Sequence, residues 1–367
     1  MGRADRAFRA GKTFDTVGPM STTGPRRPTL EQVAAAAGVA TSTASKVLNG
    51  RPGIAPVTRR RVEEAIERLG YAPTTGPRAG TAPLGVAVVF RTLADQYALR
   101  VLEGVVASAR EHGIEVVVDV LDAGPAEGDA APLQPAWIRR QATGERAGVV
   151  LVTTQPTAAQ RDLLRALGVP TVHIDPVNPM DDSTVSVGST NFSGGVQATR
   201  HLLELGHRRI AFAGGAPTFL PSAERLQGYL SMVRAGDGQV DDALVRSRAH
   251  TFEAGLAIGD QLLELPEPPT AVFAASDSIA LGVLASAQRH GLRVPQDLSV
   301  VGFDDSAAAA SSAPPLTTVR QPVVEMGRVA LRTLLQLARG ERVDSHHVQL
   351  STTLVVREST APPPAAG

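Results

Sequence analysis

The sequence predicts an α/β protein: a small all-α head followed by a two-lobed body of two doubly wound parallel sheets. Three observations predict it. Apolar residues recur at helical spacing three times between residues 30 and 69. After residue 83, short apolar runs alternate with helical patterns to nearly the end of the chain. Between these textures lies Tyr71-Ala-Pro-Thr-Thr-Gly-Pro-Arg-Ala-Gly-Thr-Ala-Pro83, whose three prolines and two glycines break any regular element.

The chain has 367 residues, enough for two or three compact units. It contains no cysteine, which excludes disulfides, thiolate metal sites and cysteine nucleophiles. No apolar run is long enough to span a membrane. The N-terminal residues are dotted with arginine but lack the apolar stretch and cleavage site of a secretory signal, so a cytoplasmic protein is expected. The formal net charge is zero, yet it divides unevenly. Residues 1–83 carry 13 Lys/Arg and 6 Asp/Glu, a net +7, so the remainder carries a net −7. A basic head on an acidic body suits a head that meets a polyanion, although an Arg-rich solvated surface has the same composition.

Residues 1–27 show no periodicity and are expected to be disordered. The head follows at 28–72. Leu30, Val33, Ala34 and Ala37 share one helical face that stops at Gly38. Thr41 to Leu48 forms a second short helix closed by Asn49-Gly50. A third runs from Val57 to Leu69, with Val62, Ala65, Ile66 and Leu69 on one face and Gly70 as its stop. Two short helices around a Gly-containing turn make a helix-turn-helix. Such a motif needs small residues where the helices cross, supplied by Ala34 and Ala44. It also needs short polar side chains where the second helix enters the major groove: Thr41, Ser42, Thr43 and Ser45, with Lys46 in reach of a base edge or phosphate. An Ala-rich helical hairpin with exposed Ser and Thr has the same residues, and this reading stays open on pattern alone.

In the body, strands are expected at 84–90, 114–121, 148–152, 170–174, 209–213, 270–274 and 298–303. Helical patterns lie between them, among them Leu99–His112, Ala158–Leu167, Gly194–Leu205 and Ser278–His290, and several end in glycine before the next strand. In doubly wound folds ligands sit beyond the carboxyl ends of strands. Asp175, Asp277, Asp304 and Asp305 occupy such positions, and Arg225 falls where a helix is expected to begin after Gly214-Gly215. Carboxylates with an arginine suit the vicinal hydroxyls of a sugar; the arginine could equally clamp a carboxylate ligand. Each aspartate has a second reading as a helix cap or structural ion pair, and for Asp305 the structural reading is preferred. Gly214-Gly215 lacks the companions of a phosphate loop, His346-His347 lacks metal-ligand spacing, and no serine sits in a Gly-x-Ser-x-Gly turn. Neither a catalytic constellation nor a cofactor or metal site is expected, so the chain is read as a non-enzyme.

The chain resembles the lactose-repressor (LacI/GalR) family. The resemblance rests on Glu31-Gln-Val-Ala, Ala37-Gly-Val, Thr43-Ala-Ser-Lys-Val-Leu-Asn-Gly50, Thr58-Arg-Arg-Arg-Val62 and Leu69-Gly-Tyr71 in the head. In the body it rests on Gly206-His-Arg-Arg-Ile210, Arg225-Leu-Gln-Gly228, Pro269-Thr-Ala271, Ser276-Asp277, Gly302-Phe-Asp-Asp305 and Pro315-Leu-Thr-Thr318. It covers about residues 28–357 and implies a helix-turn-helix DNA-binding head, a hinge at 73–83 and a periplasmic-binding-protein-like body at 84–357. The first lobe would take about 84–184 and 319–345, the second about 185–318 and 346–357, and 358–367 would form a disordered tail.

The resemblance further implies a homodimeric transcriptional regulator, expected to repress, on a pseudo-palindromic operator, with a small effector, expected to be a sugar, between the lobes. By it Thr41, Ser42 and Lys46 read bases, Thr43, Ser45 and Asn49 hold phosphates or fix the helix, and Tyr71 belongs to the DNA-binding set. Asp175, Arg225 and Asp304 match effector-contacting positions, and Tyr97, His250 and Val323 match further pocket positions, with Asp277 beside them and Asn191 at a strand-to-helix connector. Dimerisation would use Leu99–His112 and the region of Ala280–His290. The alternative is a sugar-binding protein of the periplasmic type, which shares the two-lobed body but has no use for residues 28–71.

Three departures from the family pattern carry predictions. Ala40 stands where a serine usually caps the second helix, and Ala55 where one precedes the third; each lost cap costs about 1 kcal/mol, so a marginal head is expected. Lys46 replaces the more usual arginine and cannot grip a guanine bidentately. The hinge has no large apolar residue between Ala72 and Pro83 to wedge into a minor groove, so weak DNA bending is expected.

Overall fold

The computed structural model describes residues 29–48, 54–69, 85–121, 133–142, 146–154, 156–178, 181–236 and 241–364. The chain divides into two units, 1–81 and 82–367, at a point inside the segment read as a hinge. Expectations for residues 1–27, Asn49, Tyr71 and the hinge fall outside the described residues.

The first unit holds α1 (Leu30–Ala37), α2 (Thr41–Leu48) and α3 (Pro56–Leu69) around a core of Val33, Ala34, Ala37, Ala44, Val47, Val62 and Ala65. Thr29 and Gln32 form a reciprocal capping box that starts α1. Gly38 ends it in the left-handed conformation, φ 64°. Arg61 of α3 donates to the last carbonyl of α1, Ala37, at 2.7 Å, satisfying an acceptor that the helix itself leaves free. Ala40 supplies only its carbonyl to α2, accepting from Thr43 and Ala44. Pro56 opens α3, where a missing N–H is harmless.

The second unit contains two six-stranded sheets. In chain order its first part runs β1 (Gly85–Phe90), α4 (Gln96–Glu111), β2 (Glu115–Val120), α5 (Pro135–Gln141), β3 (Arg146–Val152), α6 (Ala158–Ala166), β4 (Thr171–Ile174) and β5 (Val185–Ser189). The chain then enters the second lobe with α7 (Asn191–Glu204), β6 (Ile210–Gly214), α8 (Leu220–Ala235), β7 (Val245–Ser247), α9 (Phe252–Leu263), β8 (Ala271–Ala274), α10 (Asp277–Arg289), β9 (Ser299–Asp304), α11 (Ala307–Ser311) and β10 (Thr317–Arg320). It returns through α12 (Val323–Ala338) and β11 (His347–Leu350) and crosses again to β12 (Thr353–Val355).

The first sheet has the order β11-β5-β4-β3-β1-β2 and is parallel throughout. The second, β12-β10-β9-β8-β6-β7, is parallel except for the β10–β12 pair. That antiparallel edge strand departs from the expected all-parallel sheet. In the first lobe α4 and α12 cover one face, and α5 and α6 the other. The second lobe buries Phe212, Phe273, Phe303 and Tyr229 in one large core.

Four expectations need correction. The chain crosses between lobes after β5, β10 and β11, near residues 190, 321 and 351, rather than at 184, 318 and 345. The crossing strands first pair inside the sheet they leave, so each switch comes later. Residues 358–364 are not a disordered tail. Ser359 is fully buried, donates to the Val300 carbonyl at 2.5 Å and accepts from the Thr317 N–H at 2.8 Å. His207 holds the Ala361 carbonyl at 2.9 Å. α4 begins at Gln96, capped by Asp95, and not at the expected Leu99, so Tyr97 lies in its first turn. α8 begins at Leu220 with Pro221 in its first turn, which places Arg225 in the second turn.

Candidate functional site

Two surfaces carry the residues singled out in the sequence. In the head, Ala44 and Val47 turn α2 inward, while Thr41, Ser42 and Lys46 are exposed and Thr43 and Ser45 half-buried. The helix therefore presents short hydroxyls and one long cation on its outer side. That is the shape and polarity a major groove admits.

In the body, the polar residues converge where the two lobes meet. Arg225 is the centre, only 3% exposed. Its Nε donates to Asn191 Oδ1 at 2.9 Å and its Nη1 to the Ala275 carbonyl at 2.6 Å, and its guanidinium lies 3.7 Å from the Phe303 ring centroid. Close helix packing fixes this position. A Cβ on Gly195 of α7 would lie 2.3 Å from the Arg225 carbonyl, and one on Gly228 of α8 2.3 Å from that of Phe192, so neither site accepts a larger residue without moving a helix.

Asp304 ends β9 with its carboxylate 3.8 Å from the Arg225 guanidinium, a long ion pair. Gln321 donates to it at 2.6 Å and accepts from Ser189 at 2.6 Å. On the first-lobe side Tyr97 donates to Asp175 Oδ2 at 2.5 Å. Asn191 and Gln321 stand on two of the crossing segments, so the cluster joins both lobes through the strands between them. Two further bonds bridge the lobes: the Leu220 N–H to the Val177 carbonyl at 2.7 Å, and the Ala307 N–H to Gln96 Oε1 at 3.0 Å.

Burial dominates the electrostatics. It raises the pKa of Asp175 against the Tyr97 hydrogen bond and the Arg225 charge. It raises that of Asp304 against Arg225, with Asp277 adding repulsion. It lowers that of Arg225 in spite of Asp304, Asp175 and Glu224. Burial and Asp175 push the Tyr97 phenol well above its ordinary value. One buried guanidinium thus faces three carboxylates, and each charge would gain from a hydroxyl partner. Asp175 and Asp304 also hold positive φ, 43° and 119°, conformations that aspartate tolerates better than most residues.

His250 packs edge-on against Phe219, ring centroids 4.8 Å apart, over the bare backbone of Gly215. Its pKa is lowered to about 3 by burial, with Arg225 and Arg91 adding, so the ring is neutral. Its Nε2 is buried with no hydrogen-bond partner among the described residues. Val323 opens α12 as expected and is buried.

Asp277 behaves differently. Ser276 is the helix cap, and Asp277 accepts from Thr318 at 2.6 Å and from the Ser306 N–H at 2.7 Å. Both of its oxygens are engaged inside the second lobe. Asp305 pairs with Arg320 at 2.6 Å and Arg357 at 2.5 Å, the structural role its sequence context indicated. Ser189, Glu224, Phe303 and Gln321 belong to the cluster but escape sequence reasoning. Gln321 follows a short polar strand and Glu224 merely precedes Arg225, so neither stands out; Phe303 lies within Gly302-Phe-Asp-Asp305 but reads there as core.

Comparison with known proteins separates the candidate readings. Residues 29–74 match the family of bacterial regulatory proteins, lacI family, and residues 199–360 match the periplasmic binding protein-like domain. The chain is 35% identical to the HTH-type transcriptional regulator CelR of Thermobifida fusca over 343 residues, 91% of this chain and 98% of that protein. It is 32% identical to the HTH-type transcriptional repressor CytR of Escherichia coli over 352 residues, 90% of this chain and 96% of that one. Among solved structures, a CelR–cellobiose complex is similar with a TM-score of 0.67 at 35% identity, covering 91% of this chain and all of that one. A lac repressor dimer bound to operator and the anti-inducer ONPF gives 0.66 at 26% identity, covering 92% of this chain and all of that one. Among the described residues no helix is long and apolar enough to cross a membrane. A headless periplasmic-type binding protein finds no support in the match to residues 29–74. The chain belongs to the lacI family of bacterial regulatory proteins and is a DNA-binding transcriptional regulator of that type.

Proposed function

We propose that this regulator is a non-enzymatic cytoplasmic repressor that binds a pseudo-palindromic operator as a homodimer and is controlled by an uncharged sugar bound between the lobes. Thr41, Ser42 and Lys46 would read the operator, with Thr43, Ser45, Asn49 and Tyr71 fixing the helix on phosphates. Arg225, Asp304, Asp175 and Tyr97 would hydrogen-bond the sugar hydroxyls, His250 would offer its free Nε2, and Val323 would line the site. Asp277 supports the cleft from behind.

The observation that carries the reading is the composition of the buried cluster: one guanidinium, Arg225, against Asp175, Asp304 and Glu224. An anionic ligand would add negative charge where burial already disfavours ionised carboxylates. A neutral polyol offers donors to each carboxylate and an acceptor to the arginine at no cost in charge. The relative solved with cellobiose points the same way. Because the cluster spans the crossing segments, a sugar that prefers one lobe arrangement shifts the equilibrium between arrangements, and with it the two heads.

A thermal-shift screen tests this. Uncharged mono- and disaccharides are compared with sugar acids and small carboxylates, for wild type and Arg225→Lys. A ligand at a hundred times its Kd stabilises by about 2.7 kcal/mol, a readily measured rise in Tm. The proposal expects a neutral sugar to raise the wild-type Tm and not that of Arg225→Lys, whose ammonium cannot reproduce the fork. A rise produced only by the acids would defeat it.

A further inference from the structure

Beside the cluster, bordered by Asp175, Asn191 and Glu224 but not by Arg225, lies a cavity of about 220 Å³. Its floor is the outer margin of the first sheet. Ser186 pairs with His347, and Gly188 with Gln349, so these four residues stand on one face of β5 and β11. Ser186 Oγ and His347 Nδ1 lie 2.9 Å apart. Pro176, on the first-lobe side, and Leu220, Pro221 and Glu224 of the second lobe complete the wall. The cavity therefore lies between the lobes, as the effector cluster does.

Three features make it a ligand site and not a packing gap. First, Gly188 keeps the floor open: a Cβ there would approach Asp175 Oδ1 to 3.0 Å. Asp175 gives Oδ2 to Tyr97 and also lines the cavity, with its Oδ1 beside Gly188. Second, Asn191 divides in the same way, accepting from Arg225 and donating to Glu224 Oε2 at 3.0 Å. Asn191 thus joins the arginine cluster to the cavity lining through side-chain hydrogen bonds. Third, the lining alternates polar groups (Glu224, Gln349, His347, Ser186) with the apolar edges of Pro176, Leu220, Pro221 and Val348. A sugar ring has this character, with hydroxyls around its rim and C–H faces above and below. The volume equals about seven waters, which suits one ring and little more. The two carboxylates, with no Lys or Arg among the described lining residues, disfavour an anion.

We infer that this cavity is a second sugar subsite, taking one uncharged pyranose ring beside the one held by Arg225 and Asp304. The inference rests on the sugar reading proposed above. The ring could be the second unit of a disaccharide that displaces the Asn191–Glu224 hydrogen bond, or a separate monosaccharide.

Calorimetric titration of the full-length protein with cellobiose and with glucose tests it, using wild type, Gln349→Trp, which fills the cavity from an exposed strand position, and His347→Ala, which removes a rim partner. If a disaccharide bridges both subsites, wild type binds one cellobiose more tightly than glucose, and Gln349→Trp cuts that preference about tenfold, the equivalent of one good hydrogen-bonding contact. If separate rings enter, wild type binds two glucose molecules per chain and Gln349→Trp binds one. His347→Ala moves the same quantity in the same direction by less. A single glucose per chain, with cellobiose no tighter and both variants unchanged, overturns the subsite and leaves the sugar reading intact. Failure of wild type to bind either sugar also overturns the subsite, while the sugar reading stands or falls on the thermal-shift screen.

Discussion

Asp304 and Asp305 are neighbours in the chain and opposites in environment. Asp305, with Asp277 close by, belongs to a clamp behind the cleft in which every carboxylate oxygen has a fixed donor: Arg320, Arg357, Thr318 or the Ser306 N–H. Burial raises the pKa of Asp305, yet Arg357 and Arg320 hold it below its usual value. Asp304 faces the cleft with one firm donor, Gln321, and an arginine at 3.8 Å, and burial leaves its pKa raised. The clamp is a satisfied network and holds the second lobe together. The cleft is incompletely satisfied, which is the expected condition of a site whose remaining partners arrive with a ligand.

The largest effect should separate these regions. Asp277→Ala leaves the buried Thr318 hydroxyl and the Ser306 N–H without acceptors, an expected loss of about 3 kcal/mol in stability measured by urea unfolding. Asp304→Asn should be neutral or stabilising at pH 7 in the same assay, while weakening sugar binding. The sign follows from the raised folded pKa of Asp304: its contribution is present below the unfolded value and is lost as pH rises through the folded one. Equal losses in the two variants would dissolve the distinction between clamp and cleft.

A pH-dependent effect tests whether every unpartnered buried group awaits a ligand. His173 is buried beside Arg161, its Nδ1 has no partner among the described residues, and burial lowers its pKa to about 4. It lies outside the cluster, so only stability should respond. The unfolded chain takes up a proton near pH 6.5 that the folded chain refuses until about pH 4. Stability should therefore fall with pH across that window by up to about 1.4 kcal/mol per unit from this group. His173→Phe should flatten the slope in urea midpoints and leave sugar affinity alone; a change in sugar affinity would extend the site to β4.

The smallest effect concerns the head. Ala40 offers α2 a carbonyl but no side-chain acceptor. Ala40→Ser should stabilise the head by about 1 kcal/mol, seen as a rise in the unfolding midpoint followed by circular dichroism. No rise would mean that another group already serves the first turn of α2.

The difference between clamp and cleft also marks where sequence reasoning ends. The βα alternation was legible because β1, β3, β6, β8 and β9 are continuous apolar runs, as strands buried on both faces must be. β5, β10 and β11 fall outside the expected strands because Val-Ser-Val-Gly-Ser, Thr-Thr-Val-Arg and His-Val-Gln-Leu are short and mixed; their place is set by pairing with strands distant in the chain, a long-range property. Asp175 and Asp304 stand at strand ends, where position alone marks them as candidates, and Arg225 follows close on the Gly214-Gly215 loop. Asp277 has the same local signature as Asp304, and only the approach of Thr318 and Ser306 reveals its different partners. The packed tail escaped for a related reason: Ala-Pro-Pro-Pro reads as disorder, while Ser359 is held by backbone groups of two distant strands.

The most direct test of the account couples the cleft to DNA. Fluorescence anisotropy measures the affinity for an operator selected from random duplexes, with and without the sugar found in the thermal screen, for wild type and Arg225→Lys. The sugar should change the wild-type operator Kd at least about tenfold, a coupling near 1.4 kcal/mol, and leave that of Arg225→Lys within about twofold. An equal shift in both proteins would contradict this and place the controlling site away from Arg225.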